Sequence, residues 1–208
     1  MCFRCPLISP LAPARFVSRF RVMVWGDLIE FPYSPPFIGP SALMARERFR
    51  IRVTKDNLVF CSGHFITYEG DKCERLHGHN YRTAVELEGL LDENHYVFDF
   101  IALKHRAREV TNELDHRMML PTKNPLVQLE EKNGQITARY RDRQWVFPKD
   151  DCVLLPIENT TAELLARYLA GRLIQSLGDR HGFRKGLIKV EVEESFGQSA
   201  FYEVEIGG

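Results

Sequence analysis

Two kinds of periodicity in the hydrophobic and polar residues divide this chain into predicted strands and helices. Four stretches alternate between apolar and polar residues with a period of two, as strands do: residues 49–53, 77–88, 187–194 and 200–206. Two further stretches carry apolar residues at steps of three and four, which predicts amphipathic helices: residues 100–114 and 165–173. The order of two strands, two helices and two strands (ββααββ) predicts an α+β fold, a four-stranded antiparallel sheet with two helices on one face.

Capping signals accompany the two predicted helices. Asp99 can accept a hydrogen bond from the first turn of the helix that follows it. The run Asn159–Glu163 supplies a start for the second helix, and that helix is expected to end near Gly178.

Residues 121–156, between the helices, resemble an inserted β-ribbon. Asn133-Gly134 separates two strand-like runs, which predicts a tight hairpin turn. Residues 143–147 and 152–155 are candidates to extend the ribbon. Its basic residues have two interpretations, a site for anionic substrate groups or a solvated face: Lys123, Arg139, Arg141 and Arg143.

The first 43 residues differ from the rest of the chain. Seven of the eleven prolines lie there, no acidic residue precedes Asp27, and no strand or helix period is sustained. Several arginines give a faint resemblance to an organelle transit peptide, but an uninterrupted signal-peptide core is missing. We expect residues 1–43 to be a poorly ordered extension or a mis-assigned start, with the folded domain spanning 44–208 from Met44.

Composition narrows the class of protein. The 208 residues suffice for one domain with a proper core. The chain has 28 basic and 28 acidic residues, so charge gives no argument for nucleic acid or an anionic membrane as partner. No apolar run approaches the roughly 18 residues that cross a bilayer. Five irregularly spaced cysteines argue against a disulfide framework, and we expect a soluble protein of a reducing compartment, the cytoplasm.

The clearest candidate chemistry lies at residues 73–81, Cys-Glu-Arg-Leu-His-Gly-His-Asn-Tyr. On a strand, His77 and His79 project from the same face, and pairing with the preceding segment would bring His64 beside them. Three protein ligands with one open position are typical of catalytic zinc. For any one of these histidines alone, the alternative is an ordinary hydrogen-bonded residue.

The dipeptide Asp115-His116 follows the first predicted helix and is a second candidate. An adjacent carboxylate can orient an imidazole and stabilise its protonated form, as a general acid or base requires near neutral pH. Such a dipeptide is also common on protein surfaces without any catalytic role. It supports a catalytic site only in combination with the metal motif.

These motifs together resemble the 6-pyruvoyl-tetrahydropterin synthase family, which includes the 6-carboxy-tetrahydropterin synthases of queuosine biosynthesis. The resemblance spans roughly residues 47–206, interrupted by the ribbon. It depends on six motifs that occur in the family's order: residues 60–65, 73–81, 97–104, 114–116, 161–163 and 192–195.

The resemblance implies a tunnelling fold whose subunits join edge to edge. The usual assembly is a homohexamer of two stacked trimers, with active sites at subunit boundaries. It implies Zn²⁺ bound by three ligands, His64, His77 and His79.

The same resemblance implies roles for the remaining site residues. Cys73 is implied as the base, and Asp115 with His116 as a second proton-transfer couple. Glu194 is implied as the anchor for the guanidine-like edge of a small-molecule pterin substrate.

The spacing from Cys73 to His77 resembles that of the queuosine branch of the family. That branch implies a lyase that converts 7,8-dihydroneopterin triphosphate to 6-carboxy-5,6,7,8-tetrahydropterin and releases acetaldehyde and triphosphate. Glu74 resembles the mark of another branch, which forms 6-hydroxymethyl-dihydropterin for folate synthesis; because Cys73 is retained, Glu74 is interpreted as incidental. The alternatives are a 6-pyruvoyl or 6-hydroxymethyl product, or a non-enzymatic zinc or pterin binding module. A structural zinc site needs neither Cys73 nor the Asp115-His116 pair, which disfavours the binding module.

Overall fold

The computed structural model describes residues 20–24, 27–31 and 47–207, and the chain divides into two compact units, Met1–Arg46 and Glu47–Gly208. In the first unit, strands β1 (Phe20–Val24) and β2 (Asp27–Phe31) pair antiparallel, with Phe20 opposite Phe31. The expectation of a poorly ordered extension over residues 1–43 falls mostly outside the described residues and stays a prediction.

Four long strands form the centre of the sheet in the second unit. They are β3 (Phe49–His64), β6 (His77–Gly89), β12 (Gly186–Ser195) and β13 (Gln198–Ile206). Each pairs antiparallel with the next in that order. The predicted four-stranded antiparallel sheet is therefore confirmed. Two register shifts interrupt it, one in the β3–β6 ladder between Thr54 and Val59 and one in the β12–β13 ladder between Glu193 and Ser195.

Two further strands extend this sheet to six. Strand β7 (Arg117–Pro121) lies parallel to β3, and β11 (Cys152–Leu155) lies parallel to β7. The strand order is β11-β7-β3-β6-β12-β13. Residues 152–155, expected as an extension of the ribbon, thus belong to the main sheet instead.

The ribbon itself is a three-stranded antiparallel meander. Its strands are β8 (Gln128–Lys132), β9 (Gln135–Tyr140) and β10 (Arg143–Pro148), followed by a short 3₁₀ turn at Lys149–Asp151. At the first hairpin, Asn133 and Gly134 have φ of 53° and 73°. Positive φ at both central residues is the geometry that an Asn-Gly hairpin turn requires, so the predicted turn is present.

Helices α1 (Phe100–Asn112) and α2 (Ala162–His181) cover one face of the sheet. The Asp99 carboxylate accepts a hydrogen bond of 2.7 Å from the Ala102 N–H, which caps α1 as predicted. Helix α2 continues past Gly178 to His181 and is capped by Gly182, whose φ of 67° suits a glycine cap. The core between helices and sheet is apolar and closed: it includes Leu103, Val110, Leu165, Leu173, Phe60 and Val190.

The opposite face of the sheet carries cross-strand ion pairs. Arg50 contacts Glu88 at 2.6 Å, and Arg52 contacts Glu191 at 2.6 Å. The two faces therefore alternate along each strand as the sequence pattern predicts. No helix in the described part of the chain is long and apolar enough to span a membrane.

A small hairpin connects β3 to β6 and determines where the candidate site lies. Its strands are β4 (Thr67–Tyr68) and β5 (Lys72–Cys73), with Thr67 opposite Cys73. The chain then turns through residues 74–76 into β6, which begins at His77. Cys73 and Glu74 are thereby placed at the entrance to the strand that carries the paired histidines.

Candidate metal centre and active site

Three imidazoles come together where β3 ends and β6 begins. The antiparallel register places His64 opposite His77 and Ser62 opposite His79. The ring centroids lie 4.6 Å apart for His64 and His77, 5.3 Å for His64 and His79, and 4.9 Å for His77 and His79. One nitrogen from each ring lies within 4.8 Å of the others, so this set could hold a metal ion. The predicted pairing of β3 with β6 is thus what assembles the cluster.

In two of the three rings, those of His64 and His77, a backbone carbonyl determines which nitrogen is available to bind a metal. The Nδ1 atom of His64 lies 3.0 Å from the Thr160 oxygen, and that of His77 lies 2.8 Å from the Arg75 oxygen. A carbonyl can only accept, so each Nδ1 carries the hydrogen and each Nε2 keeps its lone pair. Metal-binding histidines are oriented in this way by their second nitrogen.

Burial also keeps His64 in the form that a metal requires. Its side chain is 1% exposed, and this burial lowers its pKa to about 4, because the charged imidazolium is poorly solvated there. His77 and His79 are 37% and 25% exposed. The cluster is therefore closed on the His64 side and open on the other, which suits a site that admits a ligand.

Tyr81 and Glu194 adjoin the cluster. The Glu194 Oε1 atom lies 3.3 Å from His64 Nε2 and 3.6 Å from His79 Nε2. The Tyr81 hydroxyl donates to the same Oε1 at 3.3 Å and lies 3.1 Å from His64 Nε2. Burial, followed by the charge of Glu194, raises the pKa of Tyr81, so the phenol stays neutral and can donate.

Glu194 also lines a cleft of about 360 Å³. The cleft lies beside the start of α2 and the β12–β13 turn, and its walls include Thr161, Glu163 and Gln198. One carboxylate thus contacts both the histidine cluster and an open cleft. Sequence reasoning selected Glu194 but missed Tyr81, although Tyr81 lies two residues after His79 and so shares its strand face.

Cys73 and Glu74 differ in their contact with the histidines. The Glu74 Oε2 atom lies 3.9 Å from His77 Nε2. The Cys73 thiol is partly buried and donates a hydrogen bond of 3.5 Å to the Glu74 carbonyl. Burial raises the pKa of the Cys73 thiol, and the nearby Arg143 guanidinium opposes that rise. Glu74 thus lies near the cluster in this structure, although its sequence position was interpreted as incidental.

Asp115 and His116 lie in the turn between α1 and β7. The Asp115 Oδ2 atom lies 2.9 Å from His116 Nδ1, and its Oδ1 accepts a 2.8 Å hydrogen bond from the Cys61 N–H. Burial acts to raise the pKa of Asp115, but hydrogen bonds from Cys61 and His116 outweigh it and lower that pKa. The two side chains are therefore in contact, and the Cys61 N–H helps to orient the carboxylate. A proton-transfer role for the pair stays a prediction.

In the described part of the chain, no side-chain hydrogen bond or ion pair joins the Asp115–His116 couple to the histidine cluster. Among residues 47–207, the side-chain bonds of Asp115 and His116 go to each other and to Cys61. The side chain of His116 is 83% exposed. Its imidazole is consequently open to solvent in this structure.

Residues just before α2 hold the segment that follows His64. The Asn159 side chain donates to the Thr67 oxygen at 2.8 Å and accepts from the Thr67 N–H at 3.2 Å. The Thr160 hydroxyl donates to the Phe65 oxygen at 3.1 Å. Sequence reasoning identified residues 159–163 as a helix start and missed this supporting role, because the partners lie more than ninety positions earlier in the chain.

Comparisons with known proteins identify the family to which this fold belongs. Residues 52–205 match the family described as 6-pyruvoyl tetrahydropterin synthase. A candidate 6-carboxy-5,6,7,8-tetrahydropterin synthase of Methanocaldococcus jannaschii is 34% identical over 146 residues, 70% of this chain and 89% of the relative. The 6-carboxy-5,6,7,8-tetrahydropterin synthase of Aquifex aeolicus is 31% identical over 124 residues, 56% of this chain and 67% of the relative.

Solved structures show the same likeness. The 6-pyruvoyltetrahydropterin synthase of Plasmodium vivax is 31% identical with a TM-score of 0.72, covering 77% of this chain and 100% of that chain. A variant of the same enzyme, in which a catalytic glutamate is replaced by alanine, gives 30% identity, a TM-score of 0.72 and the same coverage. The expected tunnelling fold is confirmed. The chain belongs to the 6-pyruvoyl tetrahydropterin synthase family and is a tetrahydropterin synthase, an enzyme.

Proposed function

We propose that this enzyme converts 7,8-dihydroneopterin triphosphate and one water into 6-carboxy-5,6,7,8-tetrahydropterin, acetaldehyde and triphosphate. Relatives from Methanocaldococcus jannaschii and Aquifex aeolicus carry the name of this activity. The observation that carries the proposal is the shared position of Glu194, which contacts the three-histidine cluster and lines the adjoining cleft. A pterin held in that cleft would lie beside the cluster.

His64, His77 and His79 would hold Zn²⁺ through their Nε2 atoms. The donor set fits, because the Nδ1 atoms of His64 and His77 are already bonded to carbonyls and burial keeps His64 neutral. When bound, zinc would polarise the side-chain hydroxyls of the substrate and acidify the hydrogens beside them.

Glu194 would bind the pterin ring. Its carboxylate offers two acceptors to the paired N–H donors of the guanidine-like edge, and a wrong ligand would leave these groups unpaired. The neutral Tyr81 phenol donates to this carboxylate at 3.3 Å and limits its rotation. Binding and orientation of the ring would thus depend on the two residues together.

Cys73 would act as the base toward the substrate side chain, and Asp115 with His116 as a second proton-transfer couple. Because the couple makes no contact with the cluster in the described part of one subunit, it would serve substrate bound to a neighbouring copy. A homohexamer of two stacked trimers is the assembly that we propose. The reaction, of the lyase class, needs no external reductant, since the two electrons that reduce the ring come from oxidation of the side chain.

A second candidate function is cleavage of a dihydroneopterin-type substrate to 6-hydroxymethyl-dihydropterin. The observation that favours it is the 3.9 Å separation between Glu74 Oε2 and His77 Nε2, which makes Glu74 an alternative base beside the same ligands. A glutamate is also a catalytic residue of the Plasmodium vivax 6-pyruvoyltetrahydropterin synthase, which supports a base role for Glu74 without indicating the product.

The test is to incubate zinc-loaded protein with 7,8-dihydroneopterin triphosphate and identify the pterin product by mass spectrometry. The 6-carboxy compound is the expected product. A 6-hydroxymethyl product would favour the second candidate, and a 6-pyruvoyl product would assign the sister reaction. Absence of turnover in zinc-loaded, folded protein would contradict the proposed substrate.

A further inference from the structure

Both candidate bases lie between the end of β5 and the start of β6: Cys73 is the last residue of β5, and Glu74 begins the connection to His77. The Glu74 N–H donates to the Ile66 oxygen at 2.9 Å. The carbonyl groups of Cys73 and Glu74 instead accept hydrogen bonds from a side chain of the meander. The orientation of the thiol and the carboxylate therefore depends on a contact far away in the sequence.

That side chain is Arg143, at the start of β10. Its Nη2 donates to the Cys73 oxygen at 2.7 Å and its Nη1 donates to the Glu74 oxygen at 3.0 Å. The two nitrogens of one planar guanidinium thus hold two successive carbonyls, a geometry that a lysine ammonium cannot reproduce.

Two aromatic rings fix the guanidinium in place. It lies 5.1 Å from the centroid of the Tyr140 ring and 5.2 Å from that of the Trp145 ring. Trp145 in turn stacks on Phe65 with centroids 4.6 Å apart and an interplanar angle of 18°. Phe65 follows His64 directly and is 1% exposed. Arg143 is therefore coupled both to the strand that carries a histidine of the cluster and to the segment that carries the two bases.

The β9–β10 turn contacts the same loop at a second point. The Tyr140 hydroxyl donates to the Asp71 carbonyl. Arg141 pairs with the Asp71 carboxylate at 2.7 Å, and both of these side chains are exposed. The Arg141 pair is on the same turn but does not reach Cys73 or Glu74, so it provides a matched control.

We propose that Arg143 is a positioning residue, which holds the Cys73–Glu74 backbone so that the thiol and the carboxylate face the bound substrate. This inference builds on the proposed function, because it deepens the role of the same site. It also gives the meander a function. From sequence, Arg143 could not be distinguished from the other basic residues of the ribbon, which had two interpretations, an anion site or a solvated face. The positive charge beside the thiol is a second contribution, since it favours the thiolate against the effect of burial.

The test compares Arg143→Ala, Arg143→Lys and the control Arg141→Ala in the full-length, zinc-loaded enzyme. We expect Arg143→Ala to lower kcat about 10- to 100-fold with KM changed less than about threefold, as misplacement of a reacting group does. Arg143→Lys should recover part of the loss, and Arg141→Ala should remain within about twofold of the wild type. Bound zinc and the unfolding temperature should stay near wild type in all three variants.

Hydrogen exchange supplies a readout that does not need turnover. In Arg143→Ala, the backbone amide hydrogens of residues 69–76 should exchange faster than in the wild type. In Arg141→Ala, the exchange rate of the Glu74 amide should be unchanged. Exchange that is unchanged in Arg143→Ala, or kcat within about twofold of wild type, would overturn the inference. So would a loss of zinc and of folding in Arg143→Ala, because it would show a merely structural role. If the wild type itself shows no turnover with this substrate, the proposed function fails, while exchange still reports whether Arg143 holds the segment.

Discussion

The carbonyl oxygen of Thr160 lies 3.0 Å from Nδ1 of His64, ninety-six positions earlier in the chain. This contact links the start of α2 to the end of β3 and assigns the hydrogen to Nδ1, so that the His64 Nε2, beside Tyr81 and Glu194, keeps a lone pair for a metal ion. The metal centre thus depends on the packing of a helix terminus against a strand end, as well as on the strand pairing that brings the histidines together.

Loss of any one histidine of the cluster should abolish tight zinc binding. We expect His77→Ala to lower zinc affinity by at least about 100-fold, because two imidazoles leave a catalytic zinc site incomplete. Zinc per subunit after dialysis, measured by elemental mass spectrometry, checks this. His105→Ala is the control, because His105 is an exposed residue of α1 outside the cluster. Full zinc retention in His77→Ala would contradict the assignment of the ligands.

Cys73→Ala should abolish turnover while leaving bound zinc near one per subunit. The reason is that Cys73 is proposed as a base and lies outside the three-histidine set. Steady-state rates and metal content measured on the same preparation test both halves. Loss of the metal would show instead that the thiol is a ligand.

Glu74→Gln distinguishes the two candidate products. If Cys73 is the base for the 6-carboxy product, this variant should keep its rate within about threefold, because the amide retains the size of the side chain. Any 6-hydroxymethyl product should fall at least about tenfold. Product masses from parallel incubations give the ratio directly. A loss of the 6-carboxy product of tenfold or more would assign the base role to Glu74.

Tyr81→Phe should weaken substrate binding while lowering the stability of the fold only slightly. The ring would still stack on Phe60, where the centroids are 4.7 Å apart, so the expected loss is about 1 kcal/mol for one hydrogen bond. Without the hydroxyl at 3.3 Å, Glu194 is less well oriented and KM should rise several-fold. Tyr168→Phe is the control, since its hydroxyl donates to Glu113 at a similar 3.3 Å away from the site. An equal effect of both variants on KM would argue against a role for Tyr81 in substrate binding.

Asp115 should make stability depend on pH. Its pKa is lowered in the folded protein, so its stabilising contribution is present above the unfolded value of about 3.9 and is lost as pH falls through the folded pKa. Because the carboxylate is partly exposed, the contribution should be about 1 kcal/mol or less. Denaturant unfolding of wild type and Asp115→Asn at pH 7 and pH 3.5 should show a difference that shrinks at the lower pH. A difference that grows on acidification would contradict the sign of the shift.

The spacing of residues along single strands predicted much of the site. His77 and His79 share a face because strand side chains alternate, and His64 follows from antiparallel pairing of the neighbouring strand. The fold class followed from periodicity in the same way. These inferences concern residues on one strand, or two strands that follow each other in the chain and pair with each other. In such cases the order of residues determines which side chains meet.

Contacts between distant segments could not be predicted in this way. Arg143 reaches Cys73 seventy positions away, and nothing in its own neighbourhood distinguishes it from Arg139 or Arg141. The parallel pairing of β11 with β7 was missed because its four residues fit a ribbon equally well. Helix α2 continues beyond Gly178 because a glycine inside a helix costs only about 1 kcal/mol, which burial of the neighbouring Leu177 outweighs.

The most direct test of the account is a product time course from zinc-loaded enzyme and 7,8-dihydroneopterin triphosphate. Pterin would be identified by mass and acetaldehyde quantified by trapping, with metal-free enzyme as the control. The account predicts 6-carboxy-5,6,7,8-tetrahydropterin and acetaldehyde in equal amounts, formed by the zinc-loaded enzyme alone. A pterin product of another mass, or equal rates with and without zinc, would contradict it.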